Sequence, residues 1–290
     1  MRFLEKIKAS RPASFLALFV AYSIAAVSGC LIYKAVGLSW WLSLFIADVL
    51  ATAVIFGFSL LFSNASAYDP YWSVQPIVIL WCFMAEYGFN TAGVIFTAVI
   101  TLWGIRLTAN WAYTFKNLNS QDWRYTMLRE KTGTLYPLVN FVGIHLVPTV
   151  VVYAVTLPAA YLIINGIFFK PIALVFLCIS VIAFSLQGIA DVQMHAYRKN
   201  RTTPFIRRGL WKYSRHPNYL GEILTWWGVG LAALTLVPSC PYLLIGAIMN
   251  TALFLFVSIP LAEGKQAEKE GYDAYRAQTR ALLPIPKRTK

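Results

Sequence analysis

An all-α, polytopic bundle of membrane-spanning helices is the fold this sequence predicts, and three observations predict it. Of its 290 residues 58% are hydrophobic and 13% charged, where a soluble domain carries about 25% charged and about 45–50% apolar residues. The apolar residues gather into runs close to the roughly 20 residues that a helix needs to cross a bilayer. The 25 Lys and Arg fall between those runs with a marked sidedness, as membrane topology requires. The same composition excludes disorder, coiled coil and a secreted disulfide scaffold.

Eight segments qualify, at 13–36, 40–62, 73–89, 91–114, 136–161, 171–192, 219–237 and 241–262, for a bundle of seven to eight helices. The first follows Arg2, Lys6, Lys8 and Arg11 and is too long for a secretory h-region, so it is expected to be an uncleaved helix. The second runs unbroken from Trp40. The third is the weakest, because Pro76 and Glu86 interrupt it, and a tilted or re-entrant segment is the alternative. The fourth carries Arg106 and Asn110 one turn apart, and the fifth holds His145, read as a hydrogen-bonded core histidine. The sixth ends in the polar run Gln187 to Arg198, the seventh opens at Pro217, and a short cytosolic helix follows the eighth.

The basic residues test this count. With the N-terminus inside, 22 of the 25 Lys and Arg are cytoplasmic, all but Lys34, Lys170 and Arg106. Both termini are then cytoplasmic, in a multi-pass protein of the inner membrane if the source is bacterial. Asn64-Ala65-Ser66 is a formal glycosylation sequon on the cytoplasmic side, so no glycan is expected there. Cys30, Cys82, Cys178 and Cys240 stand apart in apolar runs without CxxC spacing, which suits packing and neither zinc nor disulfides. His145, His195 and His216 are too few for a di-iron site, and no metal is expected. With a net charge of +13 and a mean hydropathy of +0.59, little water-exposed surface remains for nucleic acid. The partners expected are the lipid bilayer, a hydrophobic small molecule and an anionic cofactor.

Ionisable groups within or beside spans mark functional sites when they face the bundle interior. Here they are Asp48, Asp69, Glu86, Arg106, Asp191, Glu222 and Glu263. Asp69, Arg106, Asp191, Glu222 and Glu263 fall near cytoplasmic helix ends and Asp48 and Glu86 toward the outer half, so one chamber open to the cytosol is expected. The plain alternative puts each acid in the headgroup zone. Gln187, Asp191 and Arg198 share one helix face, and Asn218 and Glu222 are one turn apart, as are Arg106 and Asn110. Interhelical hydrogen bonds that only join the bundle would also use Gln187 and Asn110.

The densest signal runs from Gly209 through Trp211, Arg215, His216, Pro217, Asn218 and Tyr219 to Glu222. Pro217 opens a helix, and free N–H groups there, beside Arg215 and His216, suit a phosphate or carboxylate. Arg198, Arg201, Arg207 and Arg208 add cations, and Trp211, Tyr213, Trp226 and Trp227 add flat faces for a ring. A basic loop that only satisfies topology would explain the charge, but not the His-Pro-Asn-Tyr order.

Ser214 to Glu222, followed by Trp226-Trp227-Gly228, is similar to a family of bacterial membrane proteins of unknown function, related to the C-terminal domain of steroid 5-alpha-reductases and to sterol reductases. The resemblance includes Trp103 to Leu107, Gln121 to Tyr125, Gln187 to Arg198 and Gly271 to Pro284, and covers residues 60 to 286. It implies N-terminal helices over 1–65 and a reductase-like domain over 66–290, with the cofactor part at 185–286. It also implies NADPH as cofactor and reduction of an enone or double bond in a lipid-like substrate. The cofactor would be lined by Arg106, Asn110, Gln187, Asp191, Arg198, Trp211, Arg215, His216, Asn218, Tyr219, Glu222, Glu263 and Tyr275. An acid–tyrosine pair would deliver the proton, and Asp69 with Tyr68 is the candidate. Trp103 departs from the related enzymes, which carry a tyrosine there. No Rossmann fingerprint is present.

Isoprenylcysteine carboxyl methyltransferases and phospholipid N-methyltransferases share the Arg-His-Pro-x-Tyr segment, and their S-adenosylmethionine is the alternative cofactor. That donor has no phosphate and needs fewer cations. A transporter or non-catalytic membrane protein is the third class, and no internal repeat supports it.

Overall fold

A computed structural model describes residues 2–285; Met1 and residues 286–290, with the predicted cytoplasmic cations Lys287, Arg288 and Lys290, lie outside the described residues. Among the described residues the secondary structure is helical, with an isolated bridge between Ser214 and Arg280. We number the helices α1 Arg2–Ala9, α2 Arg11–Val36, α3 Trp40–Phe62, α4 Tyr71–Tyr87 and α5 Thr91–Thr114. The long interrupted helix Trp123–Ile164 is α6. Then come α7 Ile172–Lys199 and α8 Pro217–Leu236, α9 Pro241–Ala267 and α10 Tyr272–Gln278.

Local chemistry sets the boundaries. Ser10 accepts from the Ala13 amide and Pro12 sits in the first turn of α2, which stops where Gly37 turns left-handed at φ 65°. Asn90 accepts from the Gly93 amide at 2.8 Å to start α5, and Asp122 accepts from the Arg124 amide at 2.9 Å to start α6. The cytosolic stretch expected before the fifth span is therefore helical too. Within α6 the backbone loosens to a π-helix over Asn140–Leu146, and within α9 over Phe254–Ser258.

Seven helices, α2, α3 and α5 to α9, are long and apolar enough to cross a membrane. The weakest expected span forms α4, a continuous helix with Pro76 inside it, but at 17 residues it rises about 26 Å, short of a hydrocarbon core of about 30 Å. Leu16, Phe19, Ile24, Val27 and Leu31 on α2, and Val175, Ile179, Ile182, Ile189 and Val192 on α7, are exposed. Apolar stripes of this size belong in lipid, so the protein is an integral, multi-pass membrane protein.

The chain forms two compact units, one of residues 1–82 and 107–157, the other of 83–106 and 158–290. In the first, Ala21, Ala25 and Ala51 let helices approach around buried Ile55, Tyr68 and Tyr71. In the second, α7 and α8 touch through glycine. A Cβ on Gly221 would stand 2.6 Å from the Ala183 carbonyl, and one on Gly228 2.1 Å from Ser180 Oγ, so any side chain there forces the helices apart.

Candidate functional site

That glycine contact brings the polar faces of α7 and α8 together in the second unit, with Trp103 and Arg106 of α5 beside them. Glu222 is 1% exposed. Its Oε2 accepts from Trp103 Nε1 and Gln187 Nε2, both at 2.9 Å, and its Oε1 from Trp226 Nε1 at 2.8 Å. The two indoles meet edge to face at 4.7 Å. Beside this cage Arg106 Nη1 donates to Asp191 Oδ2 at 3.0 Å, and Asn218 Nδ2 reaches Asp191 Oδ1 at 3.4 Å. Arg106 Nε and Nη2 and Gln187 Oε1 are buried without a protein partner. A buried donor or acceptor left open costs about 1–3 kcal/mol, so these atoms are a standing demand for a ligand or water. The stem of Arg106 lies against Gly188, in a groove of about 400 Å³ that Phe184, Ile189 and Val192 also line.

Arg215 and His216 are engaged elsewhere in the unit. Arg215 Nε and Nη2 grip the two oxygens of Glu263 at 2.9 and 3.0 Å, and its Nη1 donates to the carbonyls of Arg276 and Thr279. His216 Nε2 lies 2.6 Å from Glu263 Oε1, to which the Tyr272 hydroxyl also donates at 2.9 Å. The Arg215 and His216 amides donate to the carbonyls of Arg280 and Ala281. The donors that the sequence offered to a phosphate thus hold the protein's own C-terminal segment. Tyr275 joins the same clasp through a bond to the Trp211 carbonyl, and burial raises the pKa values of Tyr272 and Tyr275. Trp211 presents no free face; it is buried and donates to the Ala190 carbonyl. Tyr219 stacks on His216 at 5.1 Å.

Cations gather beyond the end of α7. Burial pulls the Lys269 ammonium below its ordinary pKa, and the charges of Arg201, Lys265 and Arg198 add to the effect. Arg201, Lys265 and Arg198 thus stand near enough to act on the Lys269 ammonium, a gathering of cations suited to an anion.

The remaining predicted residues belong to the first unit. Asn110 lies toward the end of α5. Tyr68 is buried at the end of the short 3-10 helix Ala65–Tyr68, and its hydroxyl is 2.8 Å from Thr149 Oγ1. Asp69 is half-buried and accepts from the Tyr125 hydroxyl at 2.7 Å. Burial pushes its carboxyl up to about 6, against the lowering effect of Tyr125 and Arg124. Sequence reasoning missed Trp103 as a Glu222 partner, treating it only as a departure from related enzymes. It also left Asp48 undecided between a polar contact with Glu86 and admitting substrate from the bilayer. Asp48 accepts from Tyr71 and Gln75, and the spacing of Asp48, Thr52 and Ser59 along one helix face was the signal available.

A family described as protein of unknown function (DUF1295) matches residues 55–279. An uncharacterized protein of Schizosaccharomyces pombe is 28% identical over 204 residues, 60% of this chain and 58% of that protein. Methanethiol S-methyltransferase 1 of Bradyrhizobium diazoefficiens is 32% identical over 104 residues, 35% of this chain and 34% of that protein. These alignments thus span about half and about a third of the relatives' own lengths. No solved structure matches.

Proposed function

The chain belongs to the DUF1295 family of proteins of unknown function, and from that premise we propose that it is an integral membrane reductase that takes NADPH from the cytosol and reduces a double bond in a lipid-like substrate. One observation carries the proposal: α7 leads from open, buried hydrogen-bonding atoms to a cluster of cations. Arg106 offers two unpaired N–H groups and Gln187 an unpaired carbonyl, the complement of a carboxamide, whose oxygen accepts and whose NH2 donates. The cations Arg198, Arg201, Lys265 and Lys269 complement phosphate groups. Seven residues of helix, about 10 Å, separate Asp191 from Arg198, a span suited to a dinucleotide.

This donor set fits NADPH, which would supply a hydride when bound. The protein's own groups bind and orient. Asp191, steadied by Arg106 and Asn218, accepts hydrogen bonds from ribose or amide groups, and the Glu222 cage fixes Gln187 so that its carbonyl stays directed. Tyr68 and Asp69 are the groups proposed to hold the proton that reduction also consumes.

Methyl transfer from S-adenosylmethionine is the second reading, and the likeness to a methanethiol S-methyltransferase favours it. Asp191 would then face the donor's positive charges. Melting of the detergent-purified protein separates the two. NADPH is expected to raise the transition temperature and S-adenosylmethionine to leave it unchanged; the reverse result overturns the reductase, and no response to either overturns both. Lys269→Ala is expected to weaken the NADPH response and flatten its dependence on salt, and Arg106→Met to abolish it.

A further inference from the structure

Asp48 lies eight residues into α3, 4% exposed, and its partners Tyr71 and Gln75 are neutral. An isolated carboxylate at such a place is strongly disfavoured, so Asp48 carries a proton at rest. A run of neighbouring hydroxyls leads away from it. Tyr71 is hydrogen-bonded to Asp48 at 3.4 Å, and the Thr52 hydroxyl stands beside its own. Thr52 Oγ1 lies 2.9 Å from Thr149 Oγ1, which lies 2.8 Å from the Tyr68 hydroxyl. Every link is a hydroxyl that both donates and accepts and whose hydrogen rotates to suit. The chain ends at Tyr68, whose neighbour in sequence is Asp69, the half-buried carboxyl of the loop before α4.

The π-helix of α6 supports this geometry. It adds a residue to one turn, so that Asn140, His145 and Thr149 come inward at steps of five and four. His145, fully buried, donates through Nδ1 to the Asn140 carbonyl and sets its ring at a tilt beside Tyr68, 4.7 Å between ring centres. The Tyr68 ring is thereby held against Thr149. Beside Asp48, the Gln75 carbonyl oxygen is buried and unpartnered, an open acceptor next to the acid.

We propose that Asp48 is an intramembrane acid loaded with protons through this hydroxyl chain from Tyr68, and that it serves a lipid-like ligand that donates a hydroxyl to the Gln75 carbonyl and carries a second oxygen to take the proton. In loading, a proton from water at the loop binds the Tyr68 oxygen while the Tyr68 proton passes to Thr149. The Thr149 proton passes to Thr52, the Thr52 proton to Tyr71, and the Tyr71 proton to the Asp48 carboxylate. One proton enters, one O–H bond forms at Asp48, and no electrons move. In discharge the carboxyl gives its proton to the ligand's second oxygen and is left as the carboxylate that loading restores. Only the use of the proton rests on the reductase reading.

Infrared spectroscopy of the protein in detergent, without NADPH or substrate, tests the loading path. The expected spectrum holds a carboxylic acid C=O band that Asp48→Asn removes and that shifts in D2O. Thr149→Val and Thr52→Val are expected to slow that shift about tenfold or more, the rate equivalent of losing one hydrogen-bonded link. Thr149→Ser keeps the hydroxyl and is expected to exchange at the wild-type rate, which separates a broken path from a disturbed fold. A spectrum in which Asp48→Asn removes no such band overturns the proposal, as does a Thr149→Val protein that exchanges as fast as wild type. A protein that fails to bind NADPH but passes this test overturns the cofactor reading and leaves the relay standing.

Discussion

In the second unit Glu222 meets three N–H donors, Asp191 an arginine, and Glu263 an arginine, a histidine and a tyrosine. In the first, Asp48 meets a tyrosine and a glutamine, and the polar interior continues through hydroxyls. A membrane bundle can thus keep acids by surrounding them with fixed donors or by keeping them protonated. The first solution fixes geometry, because each charge is strongly bonded in one arrangement. The second leaves the proton free to move, because hydroxyls exchange roles at little cost.

The comparison breaks most severely at Glu263. Glu263→Ala leaves Arg215 buried without its partner, a loss of about 3–5 kcal/mol for a severed buried pair, and the C-terminal segment should come loose. Thermal melting in detergent should fall steeply, with trypsin cutting rapidly after Arg276 and Arg280; an unchanged digest would remove the clasp from the account of stability. Glu222→Ala should be of comparable size, at about 1–3 kcal/mol for each donor that water in the new cavity does not reach. Glu222→Gln should cost less, because one oxygen still serves two donors while its amide opposes the Trp226 indole; equal melting of the two variants would show that the donors find other partners.

Asp69 sharpens the comparison at the water side. Its carboxyl keeps a proton up to about pH 6 in the folded protein, against an ordinary value of 3.8. The folded state therefore binds more protons between those values, and stability falls as pH rises through them. Asp69→Asn should flatten that slope, and a melting curve series with the same slope would refute the burial-driven shift. The smallest effect belongs to Thr149→Val, about 0.5–1.5 kcal/mol for each of its two hydrogen bonds, since the first unit's interior depends on conduction more than on strong bonds.

The same contrast explains what could be read from the sequence. Apolar run length placed the helices well, because crossing a bilayer demands it, and only α4 is shorter than a full span. Asp191, Asn218, Glu222 and Glu263 stood out because charge or amide in an apolar run is rare. Their partners did not: the pairing of Arg215 with Glu263 joins residues 48 apart, and no local pattern distinguishes it from an anion site. Thr52 and Thr149 were silent for another reason. A threonine inside a membrane helix bonds its own backbone as readily as a neighbour, so only the register set by the π-helix reveals them.

The clasp also orders events during synthesis. The loop between α7 and α8 carries Arg215, but everything that grips it, from Glu263 to Ala281, emerges from the ribosome later. Until then a strongly cationic side chain waits without its counter-ion, and the loop between α7 and α8 is not secured to the C-terminal segment. Biogenesis of the second unit is therefore completed from its tail, and a nascent chain halted before Thr279 presents quality control with an unpaired arginine.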